Sequence, residues 1–157
     1  MNKRIFLLTA LLASVILSTV AQTSSLTAGE KKFRDGIEQF LREEGYNVTI
    51  DPEDNSLNWK QEGARMWLTV SDTDPTYVEI HTSGFSVDAD DNRDKILEAC
   101  NRAVRETRSA KACLGKKSVI FTVELYCASV DDFNYVFYRS ISALNTIKSK
   151  EKKYYNE

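Results

Sequence analysis

His81 is the only histidine in the chain, so any Ser-His-Asp or Cys-His scheme must use it as the base. It lies in Tyr77-Val-Glu-Ile-His81, where apolar and polar residues alternate, and no GxSxG elbow or other nucleophile turn accompanies it. Two readings follow. One is a small periplasmic hydrolase using His81 with Ser83 or an aspartate. The other, simpler one is a half-exposed strand histidine that titrates near neutrality.

Asp88, Asp90, Asp91 and Asp94 invite a calcium reading. Aligned to an EF-hand loop, Asp88, Asp90 and Asn92 fit the first ligand positions. Arg93 then stands where glycine is required, and Ala99 where the bidentate glutamate belongs. The motif fails, and acidic residues favouring a helix N-terminus account for the cluster. The three cysteines, Cys100, Cys113 and Cys127, have no CxxC or His-rich spacing, so no metal and no cofactor is expected. In an oxidising compartment they form at most one pair within a monomer. In a hairpin centred near Lys116, Cys113 falls opposite a residue near Val119, far along the strand from Cys127. Cys100 with Cys127 is therefore the expected disulfide if one forms.

The remaining chemistry is recognition. Trp67, Tyr77, His81, Glu124 and Tyr126 fall on polar-side positions of alternating segments, among Thr69, Glu79, Ile120 and Thr122. Aromatic rings interleaved with hydrogen-bonding groups suit a binding surface for an extended peptide or small ligand, the rings as anchors and the carboxylates setting orientation. The competing expectation is that a helix with Ile96, Leu97 and Val104 covers this face, making the same residues ordinary packing.

These positions rest on the elements around them. Ser118–Cys127, SVIFTVELYC, is apolar at every odd position and mixed at even ones, the period-two pattern of a central strand with one buried face. Thr27-Ala-Gly-Glu30 has the form of a capping box and opens a first helix with Phe33, Ile37, Phe40 and Leu41 on one stripe, ending at Gly45. Four short strands follow. The turns are at Asp51–Asn55, Glu62-Gly63 and Pro75, and Met66, Leu68, Val70, Val78 and Ile80 alternate with polar partners. A second helix is expected from about Asp91 to Arg105, a weaker strand over Ala110–Leu114, and a third helix after Ser129 with Phe133, Val136, Phe137, Ser140, Ile141, Leu144 and Ile147 on its stripe. Lys148, Lys150, Lys152 and Lys153 read as a solvated helix end beyond that stripe. The order is helix, four strands, helix, two strands, helix. That is an α+β fold with an antiparallel sheet of five to six strands and three helices.

Met1–Ala21 places Lys3 and Arg4 before an apolar run, with small residues ahead of Gln22, which reads as a secretory signal peptide. The expected organisation is thus a signal peptide at 1–21 and one domain at 22–157, exported to the periplasm or secreted, with no stable membrane anchor after cleavage. The whole chain carries a formal charge of −2, and loss of Lys3 and Arg4 makes the remainder more acidic. An acidic balance argues against nucleic acid, whose backbone demands a basic face.

The stretch FLREEGYNVTIDPEDNSLNWKQEG, a helix ending in glycine followed by short strands, resembles the YbjN-like family, which has the type III secretion chaperone-like fold. VELYCASVDDFNYVF is similar to that family's last strand and closing helix. The resemblance runs from about Phe33 to Ile147 and lies in element order, with no catalytic motif. It implies a non-enzymatic, often dimeric, partner-binding domain. The signal peptide departs from it, because chaperones of this fold act in the cytoplasm.

Overall fold

The computed structural model describes residues 26–88 and 92–157. The signal-peptide expectation, and Asp90 and Asp91 of the acidic cluster, lie outside the described residues. The elements are α1 (Ala28–Glu43), β1 (Thr49–Ile50), β2 (Leu57–Gln61), β3 (Ala64–Ser71), β4 (Thr76–Ser86), α2 (Arg93–Arg105), β5 (Lys111–Leu114), β6 (Ser118–Cys127) and α3 (Val130–Tyr155).

Local chemistry sets the boundaries of α1. The Thr27 hydroxyl accepts the Glu30 amide while the Glu30 carboxylate accepts the Thr27 amide at 2.7 Å, so two otherwise orphaned donors are satisfied. At the other end Gly45 takes φ +89°. Its amide reaches Arg42 and that of Tyr46 reaches Leu41, closing a Schellman motif. The β2–β3 hairpin turns through Glu62-Gly63 with both φ values positive, as a two-residue turn matched to strand twist requires.

The six strands lie in the order β1-β2-β3-β4-β6-β5, every neighbour antiparallel. One face is apolar and buried: Leu57, Trp59, Met66, Leu68, Val70, Val78, Ile80, Val119, Phe121 and Val123. The helices pack on that side, α3 directly over β6, α1 against α3 and β3, and α2 against α3 and β5. Phe40, Phe133, Phe137, Tyr46 and Trp59 form a ring cluster where α1, α3 and β2 meet, with centroids 5.4–6.4 Å apart. Among the described residues no helix is long and apolar enough to cross a membrane.

Two expectations are corrected. The second helix, α2, does not cover the polar-aromatic face. Its buried stripe is Ile96, Ala99, Cys100 and Ala103, and Leu97 points away at 44% exposure. That spacing of i, i+3, i+4, i+7 with small residues suits close approach to another helix, so α2 docks beside α3. The third helix also does not end near Ile147. It continues to Tyr155, because Glu151 and Tyr154 extend the buried stripe by further steps of four and three. Lys152 and Lys153 stay exposed in its last turn, as expected of a solvated helix end, but the opposite side of that end is packed: Lys150 and the Tyr154 hydroxyl both bond Glu106 at the end of α2, and Arg102 lies 4.0 Å over the Tyr154 ring.

Candidate functional site

The strand register brings all five predicted binding residues onto the face of the sheet opposite the helices. Trp67 pairs with His81 across β3 and β4, His81 with Thr122 across β4 and β6, and Tyr77 with Tyr126. Cross-strand partners on one face of an antiparallel pair have their Cβ atoms close enough to touch, so three rows of contacts cross the sheet. In the first, the Trp67 and His81 rings stack with centroids 5.1 Å apart and planes 11° from parallel, and His81 Nδ1 lies 3.0 Å from the Thr122 hydroxyl. In the last, Tyr77 and Tyr126 rings meet at 5.1 Å, and Tyr126 is 70% exposed.

Between the two aromatic rows runs a charged one. Glu79 and Glu124 are direct cross-strand partners, a like-charge pairing that is unfavourable unless each carboxylate finds another contact. Glu124 is bound by Lys111 on β5, which holds its carboxyl below the usual range. Glu79 accepts from Thr69 and from the Tyr77 hydroxyl, both at 3.4 Å. Burial, followed by its carboxylate neighbours, pushes the Tyr77 phenol up, so it stays a donor.

Burial pulls the His81 imidazole down, opposed by the nearby charges of Glu79 and Glu124. A neutral imidazole has one donor and one acceptor nitrogen, and Nδ1 is engaged by Thr122. Ser83 is two residues further along the same strand, paired with Ile120 of β6. The arrangement lies on an open sheet face and has the form of a contact surface, with aromatic area at both ends and oriented hydrogen-bonding groups between.

The cysteines do not come together as expected. All three are free thiols, Cys100 and Cys127 buried and Cys113 exposed. The carboxylate bearing on Cys100 is Glu151 and the one bearing on Cys127 is Asp132. These stand at opposite ends of α3, separated by roughly 28 Å of helical rise. The expected Cys100–Cys127 bridge fails because the second helix docks against the C-terminal half of α3, whereas Cys127 sits at its start.

Glu151 was missed by sequence reading. Its only signal was position, since it stands four residues beyond Ile147 on a stripe that is otherwise apolar. Among the described residues no group of three or more His, Cys, Asp and Glu side chains is arranged to hold a metal ion.

A family model described as "YbjN: Putative bacterial sensory transduction regulator" matches residues 34–134. Among solved structures, the crystal structure of E. coli YbjN, described as "a putative transcription regulator", superposes with a TM-score of 0.61 at 10% identity. The match covers 76% of this chain and 91% of that chain. An identity so low shows the shared fold and nothing finer. No curated protein matches the chain in sequence.

Proposed function

We propose, from the premise that the chain belongs to the YbjN family, that it is an exported, non-catalytic protein-binding module whose open sheet face receives a partner. The family's description as a regulator of sensory transduction supports binding as the task. The observation that carries the reading is the one-sided packing of the sheet. Its helices lie on one face, and the other presents the Trp67–His81 and Tyr77–Tyr126 pairs with a polar row between.

An extended segment laid across β3, β4 and β6 would bury those rings and hydrogen-bond to the central row. The apolar run after Lys3 and Arg4 supports export, with cleavage before Gln22. Two measurements test the reading. Mass spectrometry of the protein from the cell envelope and medium should find Gln22 as the first residue. A photo-crosslinking amino acid at position 126 should trap a partner in cells, and the yield should drop when Trp67→Ala is added. Crosslinking unaffected by that substitution rejects the face. A chain that keeps Met1 and is found only inside the cell rejects export.

A further inference from the structure

β4 leaves regular pairing at its C-terminal end. It is in register with β6 as far as Ser83 opposite Ile120, and then Ser86 meets Ser118, so Gly84 and Phe85 bulge out of the ladder. A bulge bends its strand and re-aims a side chain. Here Phe85 is turned onto Tyr155 of α3, ring centroids 5.1 Å apart. On the helical side of the sheet, Phe85 and Tyr155 wall a cleft of about 570 Å³ whose other lining includes Lys148, Glu151 and Lys152. That volume is in the range of small-molecule sites.

The cleft is lined by a group that the fold itself leaves unserved. Glu151 is 1% exposed, and its Oε1 has no hydrogen-bond partner among the described residues. A leucine would continue the stripe of Leu144 and Ile147 without that cost, since a desolvated polar oxygen with no donor is unfavourable. Lys148 and Lys152, on the same two turns, form no ion pair among the described residues. Burial raises the Glu151 carboxyl, as it must for an oxygen with nothing to bond.

We propose that this cleft binds a small zwitterion with an apolar body, an α-amino acid by class. Its side chain lies on the paired Phe85 and Tyr155 rings, its carboxylate meets Lys148 and Lys152, and its ammonium donates to Glu151 once that side chain turns an oxygen toward the cleft. A simple anion would be repelled by Glu151 once ionised, and a simple cation by the two lysines. Only a ligand carrying both charges around an apolar body answers all three parts of the lining.

The test is calorimetric titration of the full chain with L-phenylalanine, with phenethylamine, which lacks the carboxylate, and with N-acetyl-L-phenylalanine, which lacks the ammonium. L-Phenylalanine should bind saturably, and each truncated probe about tenfold or more weaker, the scale of one charge-assisted contact. Glu151→Gln should weaken L-phenylalanine by a similar factor. Lys148→Ala with Lys152→Ala should weaken L-phenylalanine while leaving phenethylamine no worse. Far-ultraviolet circular dichroism of each variant establishes that it is folded. No saturable binding of L-phenylalanine, or equal affinity in folded Glu151→Gln, overturns the proposal and leaves Glu151 a buried acid only.

Discussion

Trp67 and His81, on neighbouring strands, hold their rings 5.1 Å apart and 11° from parallel, and burial lowers the proton affinity of the imidazole. The folded-state value lies below the unfolded one, near 6.5, so the native form is the poorer proton binder. Stability is therefore undiminished above that value and falls as pH drops through it, because the unfolded chain takes up the proton first. Chemical denaturation midpoints should fall between about pH 7 and pH 5, and fall less in His81→Gln. Equal pH dependence in the two proteins would mean that other groups set it.

Truncations on the two sides of the sheet should differ sharply. Phe137 is fully buried among Phe40, Tyr46, Trp59 and Phe133, and Phe137→Ala should cost about 3–5 kcal/mol. Trp67 is half-buried on the open face, and Trp67→Ala should cost about 1 kcal/mol, chiefly the lost ring contact with His81. Equilibrium unfolding of both variants checks the contrast. A Trp67 loss as large as that of Phe137 would mean the face is part of the core.

Glu151 should give the opposite pH sign to His81. Its folded-state value is raised, so its contribution is fully present below the ordinary carboxyl range and is lost as pH rises through the folded value. Cys100 is the buried ionisable neighbour on α2, a thiol that burial and then Glu151 push up to about 11, so it stays neutral throughout. Glu151→Leu should gain about 1–3 kcal/mol at neutral pH, the typical cost of an unsatisfied buried polar group, and the gain should shrink on acidification. A gain that does not change with pH would exclude titration of Glu151 as its origin.

Gly84 is a steric requirement of the bulge. A Cβ there would stand 2.8 Å from Cε2 of Phe121, a ring with no exposed surface and therefore no room to yield. Gly84→Ala should destabilise by about 1–3 kcal/mol, read as a lowered thermal midpoint.

Much of this was legible from local chemistry. The Thr27–Glu30 box, Gly45, the Glu62-Gly63 turn and the period-two runs of β3, β4 and β6 each declare themselves over a few residues. They were enough to set the α+β order and to put Trp67, Tyr77, His81, Glu124 and Tyr126 on one side of the sheet. What was not legible depended on which elements meet. An amphipathic stripe says that α2 must bury Ile96 and Cys100 but not against what, and the choice of α3 over the sheet decided both the openness of the face and the separation of Cys100 from Cys127. Glu151 was hidden for a related reason: a glutamate among lysines near a chain end reads as solvated until α2 and Phe85 are seen to enclose it.

The strand order also dictates how the molecule assembles. β2–β3, β3–β4 and β5–β6 join chain neighbours and can zip from their turns, but the pair β4 with β6 sets Thr76 opposite Cys127 across a stretch holding all of α2 and β5. Closing that long loop carries an entropic cost that no hairpin pays in advance, so β4–β6 docking is the slow, non-local step in folding. A nascent chain released before β6 emerges carries β4 as an apolar edge, with Val78 and Ile80 uncovered. This is the interval in which it needs protection from pairing with another copy.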